Sequence, residues 1–188
     1  IAPLSVHLLM GGKNILLPSE KKTRPLKDMV RESIFNIIDH AKSFNCNIEN
    51  SIVLDLFSGT GSFGIECISR GASQVIFNEN YSLALEILKR NIYNLKCEDK
   101  CKINSHDCFS ISQLKNMNDK QFNIIFMDPP FAEKQIYSLL ENVKKLGILK
   151  KNGVIVLHRH KKEIDTFPKN FNILDERTYG LSKIIFGN

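Results

Sequence analysis

No apolar run in the 188-residue sequence approaches the roughly 20 residues that a membrane-spanning helix needs. No membrane association is expected. The five cysteines (Cys46, Cys67, Cys97, Cys101 and Cys108) form no CxxC pair. Cys97 and Cys101 stand four apart, with too few His or Cys nearby to complete a zinc site, so no metal centre is expected. An odd, scattered cysteine set fits a reduced, cytoplasmic setting. Ile1–Met10 has neither a basic n-region nor an A-x-A cleavage pattern, so no secretory leader is expected. There is no internal repeat and no low-complexity segment. The remaining composition, 43% apolar and 24% charged, is that of a globular chain able to bury one sizeable core.

The net charge of +6 is unevenly spread. Residues 1–50 are net +2, residues 51–143 net −2, and residues 144–188 net +6. Basic flanks without a strongly apolar amphipathic face suit a polyanion, nucleic acid before membrane. The plain alternative is a set of solvated lysines.

Residues 1–25 are rich in turn formers (Gly11, Gly12, Pro18, Pro25) and read as an arm or hairpin. Residues 26–188 read as one domain. From Lys27 to about Lys42, Met29, Val30, Ile34, Ile37, Ile38 and Ala41 recur at helical spacing. Strands at Ile52–Phe57, Gln74–Phe77, Lys102–Asn104, Phe122–Met127 and Val154–Leu157 then alternate with helices. Two further strands, Phe171–Leu174 and Lys183–Phe186, end the chain with no helix between them. The expectation is an α/β fold: a doubly wound, Rossmann-like, mostly parallel seven-stranded sheet with helices on both faces and an antiparallel C-terminal strand. Ligands in such sheets sit at the carboxyl ends of the strands.

Gly59-Thr60-Gly61-Ser62-Phe63-Gly64 satisfies G-x-G-x-x-G between a strand and a helix. It is not a P-loop, because no Gly-Lys-Ser/Thr follows. Asp55, at the mouth of the loop, would repel a pyrophosphate and suits a cation. S-adenosylmethionine carries an ammonium and a sulfonium and no phosphate. Glu79, after the second strand, suits the ribose hydroxyls, and Asp107, after the third, suits the adenine amino group. Each has an ordinary alternative: a solvated strand-end acid, a polar turn, a cap. Cys108 reads as a small buried residue rather than a nucleophile.

Phe122–Met127 runs straight into Asp128-Pro129-Pro130-Phe131. Two prolines fix φ and remove two donors, so the corner is rigid. It can present an acid and a carbonyl to an exocyclic amine and a ring for stacking. The alternative is a capped turn with Phe131 as core filling.

Asp55-Leu56-Phe57-Ser58-Gly59-Thr60-Gly61 resembles motif I of class I S-adenosylmethionine-dependent methyltransferases. Asp128-Pro129-Pro130-Phe131 resembles the (Asp/Asn)-Pro-Pro-aromatic motif of those that methylate planar amino nitrogens. Gly12-Lys13-Asn14-Ile15-Leu16-Leu17-Pro18, Arg24-Pro25 and Val30-Arg31-Glu32-Ser33-Ile34-Phe35-Asn36, with Tyr179-Gly180 near the end, are similar to the RsmD family. That family methylates guanine N2 in bacterial small-subunit (16S) ribosomal RNA. The resemblance implies S-adenosylmethionine as cofactor, held by Asp55, Phe57, Ser58, Gly59, Gly61, Glu79, Asn80, Asp107 and Cys108. It implies Asp128, Pro129, Pro130 and Phe131 as the catalytic corner. The partner implied is small-subunit rRNA or an assembly intermediate, with Lys13, Arg24, Lys27 and Arg31 as RNA contacts. Further phosphate contacts are expected at Lys144, Lys145, Lys150, Lys151, Arg159, Lys161 and Lys162. For Arg31 the alternative is a structural pair with Asp28. A monomer is expected. The sequence departs from the family after the fifth strand, where many members have Glu and this chain reads His158-Arg159-His160. These histidines read as facing solvent or RNA.

Overall fold

The computed structural model describes residues 4–5, 14–17, 28–40, 46–117, 121–130 and 132–188. Two short strands, Leu4–Ser5 (β1) and Asn14–Ile15 (β2), pair antiparallel. The helix Asp28–His40 (α1) buries Val30, Ile34, Phe35 and Ile38, which share one face at 3.6-residue periodicity. Its Ser33 hydroxyl donates to the Tyr179 hydroxyl, tying the helix to the far edge of the sheet.

The elements that follow are Ile52–Leu56 (β3), Ser62–Ser69 (α2), Gln74–Asn78 (β4), Ser82–Leu95 (α3), Cys101–Asn104 (β5), Ile111–Lys115 (α4), Phe122–Met127 (β6), Ile136–Leu146 (α5), Leu149–His160 (β7), Ile173–Tyr179 (β8) and Ser182–Gly187 (β9). The seven strands of the main sheet run in the order β5-β4-β3-β6-β7-β9-β8. Strands β3 to β7 are parallel, and β9 lies antiparallel between β7 and β8. The expected mixed sheet is present. The chain steps outward from β3 to β5, then returns to the other side of β3 as β6. This reversal opens a crevice at the carboxyl ends of β3 and β6.

Side chains alternate between the two faces. Val53, Val75, Phe77, Ile124, Phe126, Val154 and Val156 join the core under α1, α2 and α3. Leu54, Leu56, Ile76, Ile125, Met127, Ile155 and Leu157 join the core under α4 and α5. Burial on both sides explains why the central strands read as continuous apolar runs rather than alternating ones.

Two strands are longer than their apolar cores suggest. The strand expected at 154–157 extends from Leu149 to His160, because polar residues at both its ends still find partners. The strand expected at 171–174 is instead β8, Ile173–Tyr179. Its Asp175-Glu176-Arg177 run suits an exposed edge, where charge discourages pairing with other chains.

Candidate active site

The side of the crevice formed by β3, β4 and β5 presents three acids. Asp55 shares the face of Val53 and so points beneath the start of α2, where Oδ2 accepts the Gly64 N–H at 3.0 Å. Oδ1 is buried and bonded to none of the described residues. The side chain is 1% exposed, and burial pushes its pKa well above the usual carboxylate range. The Gly64 N–H opposes that rise, while the negative charges of Asp128 and Glu79 add to it. An incompletely satisfied buried acid among other acids is a place for a cation.

Glu79 is clamped by backbone. Oε2 accepts the Gly59 N–H at 2.7 Å and Oε1 the Tyr81 N–H at 2.8 Å. Ser58 ties the loop down: its hydroxyl donates to the Asp55 carbonyl at 2.5 Å and accepts the Asn78 N–H at 2.9 Å. Phe57, Gly59 and Gly61 all take left-handed φ, at 63°, 55° and 86°. A Cβ on Gly61 would lie 2.4 Å from Leu88 Cδ1, whereas one on Gly59 would meet nothing within 4 Å. Gly61 is therefore packed tight, while Gly59 leaves room for a ligand against the backbone. The Phe57 ring meets Phe109 at 5.8 Å, joining the loops after β3 and β5.

Asp107 is exposed, and its Oδ1 accepts the Phe109 N–H at 3.0 Å. Asn80 is exposed beside Glu79. Cys108 is buried in the core beneath α4 and α5. Burial first, and the Asp107 charge second, push its thiol up to about 12, so it is no nucleophile near neutrality.

The other side of the crevice is the corner after β6. The parallel register pairs Met127 with Leu157. One residue further on, Asp128 stands beside His158 on the same face. His158 Nδ1 lies 2.8 Å from Asp128 Oδ1. A carboxylate can only accept here, so Nδ1 carries the proton. Asp128 Oδ2 is hydrogen-bonded to none of the described residues. His158 is 6% exposed, which corrects the solvent- or RNA-facing expectation: its neighbour in the sheet is the acid of the corner. Pro129 is buried and Pro130 exposed. Phe131 lies outside the described residues.

Arg159 corrects a second expectation. It is 0% exposed and cannot reach a phosphate. Its Nη2 meets Asp165 Oδ1 at 3.0 Å and the Glu133 carbonyl at 2.9 Å, and its Nη1 donates to the Pro130 carbonyl at 3.4 Å. Arg159 is a strut beneath the corner. The register between β6 and β7 is what brings His158 beside Asp128, and the folding back of the segment after β7 is what brings Asp165 to Arg159; neither is visible without the paired sheet.

Of the expected RNA contacts, Lys13, Arg24 and Lys27 lie outside the described residues. Arg31 is buried, with Nη2 at 3.0 Å from Asp28 Oδ1, which is its structural alternative rather than an exposed phosphate contact. Asn91 was not anticipated. Fully buried on α3, its amide oxygen accepts the Leu16 N–H at 2.6 Å, and its nitrogen donates to the carbonyls of Leu16 and Thr60. It fastens the arm to the glycine loop. Asn at an otherwise apolar helical face (Leu88, Ile92, Leu95) was the available signal.

A sheet of this order, with an acid-lined glycine loop at its switch point and an Asp-Pro-Pro corner beside it, defines a Rossmann-like methyltransferase. A solved Escherichia coli protein matches the fold with a TM-score of 0.81 over 99% of this chain and 97% of that one, at 22% identity. The family model described as Conserved hypothetical protein 95 matches residues 9–188. Ribosomal RNA small subunit methyltransferase D of Haemophilus influenzae is 32% identical over 180 residues, 92% of this chain and 86% of that protein. Its Escherichia coli namesake is 26% identical over 170 residues, 90% and 81% of the two chains. The chain belongs to this family, the RsmD methyltransferases. Among the described residues no helix is long and apolar enough to cross a membrane, and no group of three His, Cys, Asp or Glu could hold a metal ion.

Proposed function

We propose that this protein transfers a methyl group from S-adenosylmethionine to the exocyclic N2 of a guanine in small-subunit (16S) rRNA. The observation that carries the reading is the pair of carboxylates facing one crevice, each with one oxygen held and one left over: Asp55 Oδ1 and Asp128 Oδ2. One suits a cationic cofactor and the other an amine. Kinship with enzymes named for the small ribosomal subunit supports the choice of substrate.

S-adenosylmethionine, when bound, supplies a methyl group on a sulfonium leaving group. Asp55 holds the ammonium directly or through water. Glu79, already fixed by two amides, accepts the ribose hydroxyls on its remaining lone pairs. Asp107 accepts from the adenine amino group, with Phe57, Ser58, Gly59, Gly61, Asn80 and the backbone of Cys108 completing the pocket. The guanine N2 lone pair is delocalised into its ring, which makes it a poor nucleophile. Hydrogen bonds from N2–H to Asp128 Oδ2 and the Pro129 carbonyl aim that lone pair and stabilise the positive charge that develops on nitrogen. The rigid corner fixes these acceptors in advance, so most of the acceleration is proximity. Asp128 is the acceptor for the proton that N2 sheds. The base must leave any helical stack to reach the corner, and Phe131 replaces the lost stacking.

The test is methyl transfer from labelled cofactor to immature small subunits, naked rRNA and DNA, with the modified nucleosides identified by mass spectrometry. N2-methylguanosine in rRNA is expected. N6-methyladenosine in its place overturns the guanine assignment.

A further inference from the structure

The segment that follows β7 is bound to the catalytic corner by its acids. Arg159 Nε grips both oxygens of Asp165, at 3.1 and 3.0 Å, while the same guanidinium holds the carbonyls of Glu133 and Pro130. Lys134, four residues beyond Pro130, meets Glu163 Oε2 at 2.9 Å. Lys183 on β9 donates to the Glu163 carbonyl at 2.7 Å. The Lys161 and Lys162 amides are also bonded, to the Leu181 carbonyl and His160 Nδ1. Both acids of the segment are thus turned toward the corner and paired there.

The residues left facing outward have a different character. Ile164, between the two paired acids, is 95% exposed. Lys161 and Lys162 are exposed, and neither has an ion-pair partner among the described residues. Pro130 and Ala132 are exposed on the facing loop. Single exposed aliphatic residues are ordinary on protein surfaces. Here, however, the aliphatic side chain tops a tied-down segment, two lysines precede it, and the whole is strapped to the corner that receives the base. Within Lys161–Asp165 both acids are already paired, to Lys134 and Arg159, so the charge the segment presents outward is that of Lys161 and Lys162, which favours a polyanion over a protein partner.

We propose that Lys161–Asp165 is an RNA-docking rim: Ile164 packs against the bases flanking the extruded guanine, and Lys161 and Lys162 meet the adjoining phosphates. This rests on the functional reading above. Apolar side chains of this kind hold bases apart in other nucleic-acid complexes, where lysines alone set only register and salt dependence. Because Arg159 and Lys134 join the rim to the corner, a base displaced by Ile164 is delivered beside Asp128 rather than elsewhere on the surface.

The test uses the full chain and naked small-subunit rRNA. Ile164→Asp is expected to raise the RNA KM about tenfold or more, the scale of burying one large aliphatic side chain. Cofactor affinity by calorimetry and the melting temperature stay at wild-type values, since the side chain touches neither. Ile164→Leu restores the RNA KM. Replacing Lys161 and Lys162 together with alanine is expected to lower the slope of log affinity against log salt by about one to two. Wild-type RNA KM in Ile164→Asp, together with an unchanged salt slope in the double variant, overturns the rim. The salt slope is read from fluorescence anisotropy and needs no turnover. A wild-type protein that methylates no RNA therefore counts against the functional reading alone, and the rim still stands or falls on binding.

Discussion

On the β3–β5 side of the crevice the acids are gripped by backbone amides; on the β6–β7 side the corner is gripped by side chains. Gly64 holds Asp55, Gly59 and Tyr81 hold Glu79, and Phe109 holds Asp107. Across the crevice, His158 holds Asp128 and Arg159 holds the carbonyls of Pro130 and Glu133. Amides fix a carboxylate whatever residues surround it, so the first side is a rigid cradle for a ligand every turnover must seat alike. Side chains can be exchanged singly. The second side can therefore be tuned to its target while the sheet stays as it is.

The comparison breaks most sharply at Asp128. Asp128→Ala removes the acceptor for the amine and should cost a factor of about 10³ or more in methyl transfer, the combined scale of a lost acid–base group and a lost charge stabiliser. Cofactor affinity should stay nearly intact, because Asp55 and Glu79 keep their amide partners. Labelled-methyl assays alongside calorimetry read the two quantities separately. Lost cofactor binding would mean that the two sides are not separable.

Asp55→Asn tests the opposite side. It should weaken cofactor binding by roughly ten- to a hundredfold, the scale of one charge-assisted hydrogen bond, while leaving the corner unchanged. Its effect on the ligand-free protein has the opposite sign. Burial, against the pull of the Gly64 N–H, holds the folded Asp55 pKa above its unfolded value. Folding then takes up protons, so this contribution to stability is fully present below the ordinary carboxylate pKa and is lost as pH rises through the folded one. The asparagine variant has nothing to ionise. Melting curves without cofactor should show it gaining on wild type as pH rises through that window; a constant difference would show that Asp55 does not titrate with folding.

The same division explains what was legible in the sequence. The glycine loop, its acid and the proline corner are contiguous stretches in which spacing alone carries the geometry. Glu79 and Asp107 were read from the loops after β4 and β5, because the loops that follow parallel strands all open at the carboxyl edge of the sheet. His158 and Arg159 were misread because no acid near them in sequence offered His158 a partner and Arg159 was counted with the basic C-terminal third. Their partners, Asp128 just after β6 and Asp165 on the segment after β7, become neighbours only once β7 is paired and its end is folded back. For Arg31 both readings were open in the sequence, and the pairing with Asp28 three residues earlier is the one the fold presents. The extension of β7 past its apolar core was hidden in the same way: polar residues continue a strand when neighbouring elements satisfy them.

The smallest effect is the most discriminating. His158 Nδ1 meets Asp128 Oδ1, so under the proposed function it holds that oxygen and leaves Oδ2 for the amine. His158→Ala should lower kcat about tenfold, the lower end of the range for a hydrogen bond to a charged group, without moving the cofactor KM. His158→Gln, which keeps an N–H donor of similar reach, should recover most of that loss. A purely structural histidine would predict otherwise: both variants would lose melting temperature together, and kcat would follow the folded fraction. If glutamine rescues turnover while both variants melt alike, the corner is held by the donor itself, and the side-chain half of the site is tuned one hydrogen bond at a time.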